Sequence, residues 1–82
     1  MKYNVYSVRD VCNGFSVPVC DFNDKSAIRN FRTSLNSVND VVRRDYDLFR
    51  IGIFDVESGI VIPEVNPVLI FRGVDCEVSN GE

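Results

Sequence analysis

Valine and isoleucine dominate the aliphatic residues of this chain: fourteen valines and six isoleucines stand against three leucines. Because β-branched side chains favour strands, this bias predicts a domain built mainly of β-structure. One stretch departs from it. In KSAIRNFRTSLN, residues 25–36, apolar side chains recur at the spacing of an amphipathic helix. We therefore expect a sheet accompanied by a single helix.

The first part of the chain predicts a β-hairpin. Two β-favouring runs, residues 2–9 and 15–19, flank the dipeptide Asn13-Gly14. Asn-Gly is typical of a type I′ turn, which needs positive φ at both central residues. Pro18 has no amide hydrogen for a strand ladder, so the second run is expected to be short or to lie at an edge.

The run YDLFRIGIFD, residues 46–55, predicts a central strand because strong β-formers occupy it throughout. Gly52 within it indicates a bulge or a close approach by a neighbouring group. Strict alternation would place four side chains on one face: Tyr46, Leu48, Arg50 and Phe54.

A second hairpin is expected after this strand. VESG, residues 56–59, is a turn sequence, and IVIPEV, residues 60–65, returns as the partner until Pro63 weakens it. PVLIFRG, residues 67–73, is a further apolar run, either a fifth strand or an extended arm. The order predicts one α+β domain over residues 1–75: a small, mainly antiparallel sheet with one helix packed on one face. Residues 76–82 are expected to form a flexible acidic tail.

The helix carries two distinct stripes. Asn23 is the expected N-cap, Asp24 follows it at the positive end of the helix dipole, and the helix is expected to end near Ser37 or Val38. The apolar stripe comprises Ala27, Ile28, Phe31 and Leu35. The second stripe, offset by roughly 120°, comprises Lys25, Arg29, Arg32 and Asn36.

Charge is distributed unevenly along a chain whose formal net charge is −3. Residues 1–24 sum to −1 and residues 45–82 to −6, whereas residues 25–44, the basic island, sum to +4. Lysine and arginine neutralise phosphates, and aromatic rings stack on unpaired bases. The candidate nucleic-acid contacts are Lys25, Arg29, Arg32, Arg43, Arg44 and Tyr46. A charged exposed helix face is also ordinary in a soluble protein, so a purely structural interpretation stands beside this one.

No constellation of residues predicts an enzyme. The chain has no histidine, three cysteines without CxxC spacing, and glycines that occur singly. We expect no catalytic residues, no metal and no cofactor, and reduced thiols in a cytosol. No run approaches the roughly 18 apolar residues of a membrane span, and the N-terminal residues do not read as a signal peptide.

Several fragments taken in order resemble a known family. The first strand ends in an Arg-Asp pair at Arg9, Gly-Phe follows at Gly14 with a proline after it, and Asn-Asp at Asn23 precedes an A-I-R-x-F helix. The second half has D-Y-D-L-F from Asp45 with a glycine after it, then D-x-x-S-G from Asp55. The last fragment is a proline, Pro67, before an apolar run and a glycine. Together they resemble the small nonstructural proteins of gokushoviruses and related microviruses, which are bacteriophages with single-stranded DNA genomes.

The resemblance implies a non-catalytic phage accessory protein that lies in the host bacterial cytoplasm and is not part of the mature virion. It implies single-stranded DNA binding during genome replication or packaging. Arg29, within the A-I-R-x-F segment, is the contact that the resemblance supports; the other five candidates rest on charge and position alone.

A protein-interaction module is the alternative function. The acidic residues 45–82 would then contact a phage replication or capsid protein or a host replication factor. Under either function we expect a homodimer, because an 82-residue domain has a small core and its prolines indicate edge strands.

Overall fold

The computed structural model describes residues 1–75; the predicted tail, residues 76–82, lies outside the described residues. Its five strands are β1 (Lys2–Asp10), β2 (Gly14–Phe15), β3 (Val19–Asp21), β4 (Tyr46–Asp55) and β5 (Val61–Arg72). Its helices are α1 (Asp24–Leu35), the short α2 (Asp40–Arg43) and a 3₁₀ turn (Gly73–Asp75).

All strand pairs are antiparallel. The sheet has the order β2-β1-β4-β5, and β3 pairs with the same strand β1 as β2 does. The prediction of a small α+β domain, with a mainly antiparallel sheet and one long helix, is therefore confirmed.

The first hairpin is present, but the predicted type I′ turn is wrong. Asp10 pairs with Gly14, which leaves a three-residue loop, and the Asn13 N–H donates to the Asp10 carbonyl at 3.1 Å. Positive φ occurs at Gly14 (90°) and at no non-glycine residue within residues 1–75. The loop is thus a tight turn closed by a left-handed glycine, the next commonest hairpin connection.

The second strand of that hairpin is divided in two. The expected run 15–19 gives β2, which ends at Phe15, and β3, which begins at Val19. Pro18 lies between them and has no amide hydrogen to continue the ladder. The expectation of a short strand at an edge is confirmed.

The central strand β4 has the predicted bounds, but a bulge changes its faces. Val5 pairs with Gly52 and Tyr6 pairs with Arg50, so Ile51 is an extra residue on β4. After this bulge the side chains of β4 point to the opposite faces from those that strict alternation predicts, because one extra residue shifts the pattern by one position. Phe54 therefore pairs with Tyr3 and does not share a face with Leu48, contrary to the prediction.

The return strand β5 is one continuous element where two separate runs were expected. It passes through both prolines at the edge of the sheet, where a missing amide hydrogen costs little. The pairing Arg50↔Val68 and then Gly52↔Pro63 leaves residues 64–67 of β5 opposite the single residue Ile51. The two hairpin strands therefore separate locally around Glu64.

The core contains side chains from the helix and from two strands. Ala27, Phe31 and Leu35 of α1 are buried in a cluster with Tyr6 of β1 and Leu48 of β4. Partly buried neighbours complete it: Val8, Ile28, Val38, Tyr46, Ile70 and Phe71. The predicted apolar stripe is thus the buried stripe of α1. None of the helices described within residues 1–75 has the length and apolar character needed to cross a membrane.

Gly52→Ala is expected to destabilise the fold. A methyl group at Gly52 would lie 2.8 Å from the Ile62 carbonyl oxygen and 3.3 Å from Pro63 Cα, both backbone atoms that cannot rotate away. We expect a loss of about 2 kcal/mol in the free energy of unfolding, measured by urea denaturation. Val65→Ala, at a side chain that is 97% exposed, is the control and should change it by less than about 0.5 kcal/mol. Equal values for both variants would contradict the close contact.

Candidate nucleic-acid interface

Helix α1 begins where the sequence predicts and ends earlier. The Asn23 side chain accepts a hydrogen bond from the Ser26 N–H at 2.8 Å, so Asn23 is the N-cap. At the other end the Asn36 N–H donates to the Thr33 carbonyl at 3.2 Å, which tightens the last turn and ends the helix at Leu35. The expected loop after it contains the short helix α2.

Asp24, in the first turn of α1, connects the helix to the sheet. One carboxylate oxygen accepts a hydrogen bond from the Tyr6 hydroxyl at 2.6 Å, and the other accepts one from the Arg50 guanidinium at 2.9 Å. Arg50 also donates to Glu64 at 2.8 Å, and the Asn4 amide donates to the Tyr6 oxygen at 3.0 Å. This cluster, the Asp24 network, joins α1, β1, β4 and β5.

The network alters the proton affinity of Tyr6, whose side chain is fully buried. Burial, followed by the hydrogen bond to Asp24, raises the pKa of Tyr6 from 10.0 to about 12. Hydrogen bonding to Glu64 is the foremost cause that raises the pKa of Arg50 above its already high value. Tyr6 therefore stays neutral and Arg50 stays charged over the physiological range.

Three predicted contacts lie together on the solvent side of α1. Lys25, Arg29 and Arg32 are all exposed, at i, i+4 and i+7, so they share one stripe of the helix. No ion pair joins any of them to another residue within 1–75. This group, called the basic stripe below, is a row of cations that form no ion pair with the part of the chain that the structure describes.

Arg43 was predicted as a contact, but the structure gives its guanidinium other partners. The side chain is buried and donates to the carbonyls of Leu35 at 3.2 Å and Val38 at 2.7 Å. It also forms an ion pair with Asp40 at 2.6 Å. Arg43 thus joins the last residue of α1 and the loop after it to α2, and its guanidinium is not available to phosphate.

Arg44 and Tyr46 differ in their exposure. Arg44 is exposed and has no ion pair among the described residues, so its charge is open to a ligand. Tyr46 is half-buried and packs against the core cluster, so its ring is not a free stacking surface for a base. Of the six predicted contacts, four are therefore exposed: Lys25, Arg29, Arg32 and Arg44.

Open apolar grooves run beside the helix. One, of about 410 Å³, lies between the β1–β2 hairpin and the C-terminal half of α1, and is lined by residues that include Phe15, Phe31 and Leu35. A second, of about 340 Å³, shares Val8, Phe31 and Ser34 with it and reaches β3. Two neighbouring apolar grooves therefore lie between α1 and the β2 and β3 strands.

The Asp24 network was not predicted from the sequence, although one signal was present. Arg50 was placed on the same strand face as Tyr46 and Leu48, which are core positions. A lone arginine on an apolar face requires a partner, because an unpaired buried charge is costly. Nothing local identifies Asp24 as that partner, since the two residues are 26 positions apart.

Comparison with known proteins gives one match. Residues 3–76 match the family described as Phage ORF5 protein. The chain belongs to this family. No curated protein and no solved structure matches it. The bacteriophage part of the resemblance is thereby confirmed, and the chain is a phage accessory protein.

No group of three or more potential metal-ligating side chains occurs within residues 1–75.

Tyr6→Phe should reduce the decrease in the free energy of unfolding that the native protein shows at alkaline pH. Because the pKa of Tyr6 is higher in the folded protein, its contribution is complete below about pH 10 and is lost as the pH rises towards about 12. We expect a decrease on the order of 3 kcal/mol for the native protein across this interval, and a much smaller one for Tyr6→Phe. The measurement is the free energy of unfolding by urea between pH 9 and 12.

Tyr3→Phe is the matched control for that experiment. The Tyr3 ring packs against Phe22 with centroids 5.4 Å apart and makes no hydrogen bond to Asp24. It should keep the alkaline decrease of the native protein. If Tyr6→Phe and Tyr3→Phe give the same pH profile, the Asp24 network is not its source.

Arg43→Gln and Arg44→Gln compare the contribution of a buried, hydrogen-bonded arginine to stability with that of an exposed one. Each variant removes one positive charge, and the two positions are adjacent in the chain. Arg43→Gln removes the guanidinium donor of the Val38 carbonyl and leaves the Leu35 carbonyl with the Val38 N–H as its remaining donor, so it should lower the free energy of unfolding by about 2 kcal/mol. Arg44→Gln should change it by less than about 0.5 kcal/mol. Thermal and urea denaturation measure both, and a destabilised Arg44→Gln would contradict the assignment.

Proposed function

We propose that this phage protein binds single-stranded DNA through the basic stripe of α1, extended by Arg44. The observation that carries the proposal is the row of exposed cations that form no ion pair within residues 1–75, in a chain of net charge −3. An acidic protein that keeps unpaired cations together on one helix favours an anionic ligand there.

The way α1 is held supports the same proposal. Phe31 and Leu35 of the helix share a buried cluster with Tyr6 and Leu48 of the sheet, and the Asp24 network holds its first turn. The stripe is then presented by a rigid element and not by a loop, which reduces the entropy lost on binding. Arg32, in the last turn, also interacts favourably with the helix dipole.

The biological setting belongs to the proposal as well. The family is a bacteriophage family, and the order of motifs resembles the nonstructural proteins of gokushoviruses and related microviruses. Their genomes are single-stranded DNA, which supports unpaired DNA as the ligand. The protein would act without catalysis in the host bacterial cytoplasm, during genome replication or packaging, and would not enter the virion.

A protein-interaction module is the second candidate, and the grooves beside α1 favour it. Two neighbouring apolar grooves of about 410 and 340 Å³ are large enough to receive apolar side chains of a partner. A phage replication or capsid protein would be the ligand. Pull-down from infected cells distinguishes the two, because a protein contact survives nuclease treatment and a DNA-mediated one does not.

Fluorescence anisotropy with a labelled single-stranded oligonucleotide tests DNA binding. Four exposed cations that neutralise four phosphates should lower log K by about three for each tenfold rise in salt. The double variant Arg29→Glu with Arg32→Glu should weaken binding more than tenfold, because it replaces attraction to phosphate by repulsion. Duplex DNA of equal length gives the strand preference.

The matched control reverses two cations outside the basic stripe. Lys2→Glu with Arg72→Glu alters the total charge by the same amount but lies on β1 and β5. It should retain most of the affinity if the stripe is the site. Equal loss in both double variants would indicate binding by overall charge alone, and no binding at low salt would reject the proposal.

A further inference from the structure

Each of the two grooves beside α1 contains one carboxylate. The first groove, of about 410 Å³, is lined by Asp10, and the second, of about 340 Å³, is lined by Asp21. Neither carboxylate forms an ion pair within residues 1–75. No lysine or arginine of the described chain lines either groove. The grooves are therefore apolar surfaces with two carboxylates whose charge no described cation neutralises.

The hydrogen bonds of these carboxylates fix their positions without cancelling their charge. Asp10 accepts from the Cys12 N–H at 2.9 Å and from the Asn13 side-chain amide at 2.8 Å. Asp21 accepts from the Asn30 side-chain amide at 2.7 Å. These donors are neutral groups. A lysine or arginine of a ligand that lies beside either carboxylate would form a charge-assisted hydrogen bond with it.

The two grooves lie in line along β1. The first is lined by Val8 and Asp10 and the second by Tyr6 and Val8, which share one face of the strand. The grooves are thus about two residues, or roughly 7 Å, apart along the strand. Asp21 pairs with Asn4, six positions before Asp10, so the two carboxylates lie about 20 Å apart along the strand direction. Together the grooves form an elongated site with two apolar depressions between two negative ends.

The grooves and the basic stripe lie on opposite sides of α1. Ala27, Asn30 and Ser34 are the helix residues on the groove side. At about 100° per residue, this side is roughly 170° from the basic stripe. A ligand in the grooves therefore leaves the stripe open to DNA, and the two carboxylates repel phosphate from the grooves.

We propose that the two grooves bind an extended, cationic segment of a partner protein. Two apolar side chains of the segment, two positions apart, enter the two grooves, because alternate side chains of an extended chain lie about 7 Å apart on one face. A lysine or arginine at each end of the segment, about six positions apart, pairs with Asp10 and Asp21. Charge complementarity excludes nucleic acid as the ligand, and the length of the site distinguishes a peptide segment from a small apolar molecule.

This inference rests on the second candidate function, protein interaction at the grooves, and is independent of DNA binding at the basic stripe. It specifies the chemistry of the partner: two apolar side chains between two cations. A partner with acidic ends is disfavoured, because like charges would meet at both ends of the site.

Titration with a synthetic peptide, followed by nuclear magnetic resonance of the isotope-labelled full-length protein, tests this site. The peptide has about seven residues, with lysine at both ends, leucine at the third and fifth positions, serine elsewhere and blocked termini. It should shift the amide signals of Val8, Phe31 and Ser34, which line both grooves. A peptide with glutamate in place of lysine should bind at least tenfold more weakly, and one with serine in place of leucine should not bind.

Ser34→Phe is the blocking variant, because Ser34 is exposed and lines both grooves. The larger side chain should weaken peptide binding at least tenfold by occupying the place of the ligand. Thr33→Phe is the matched control, since Thr33 is exposed on the same helix and lines neither groove. It should bind the peptide like the native protein. Asp10→Asn with Asp21→Asn keeps an acceptor oxygen at each position, removes both charges and should weaken binding about tenfold.

Absence of shifts at the groove residues overturns the proposal, as does equal binding of the glutamate peptide. Unchanged peptide binding in Ser34→Phe, or its loss in Thr33→Phe, also overturns it. Self-association of the native protein that Ser34→Phe abolishes overturns it in favour of a second copy of the chain. Ser34→Phe should keep the native affinity for single-stranded DNA, so this site and the basic stripe are tested separately. Loss of that affinity would make the grooves part of the DNA site and overturn the proposal.

Discussion

Asp24 holds together parts of the chain that are distant in sequence. Its two carboxylate oxygens accept from Tyr6 on β1 and from Arg50 on β4, and Arg50 continues to Glu64 on β5. A charged group at a helix start and between strands is stable only when each polar atom has a partner. That condition is met throughout residues 1–75, where no buried side-chain nitrogen or oxygen lacks one. The network therefore ties the first turn of α1 to three strands of the sheet.

The partners of the cations explain which of them are available to a ligand. Arg43 and Arg50 are held by carbonyls and carboxylates, so their charge stabilises the fold. Within the basic island, the positive charge of Arg43 is neutralised by the negative charge of Asp40, its ion-pair partner. What remains is the positive charge of Lys25, Arg29, Arg32 and Arg44, all of it exposed. The net charge of the island, +4 by sequence, therefore coincides with its accessible charge.

Local sequence patterns predicted the helix and the strands, whereas the bulge in β4 and the partners of Arg43 depend on contacts between segments. The run of strong β-formers at 46–55 and the helical spacing of Ala27, Phe31 and Leu35 were sufficient, because strand propensity and helical periodicity can be read within one segment. The bulge at Ile51, which moves Phe54 to the other face, depends on pairing with β1. Arg43 was misjudged for the same reason. Its carbonyl acceptors exist only once α1 has ended at Leu35, so charge and position along the chain do not distinguish it from Arg44.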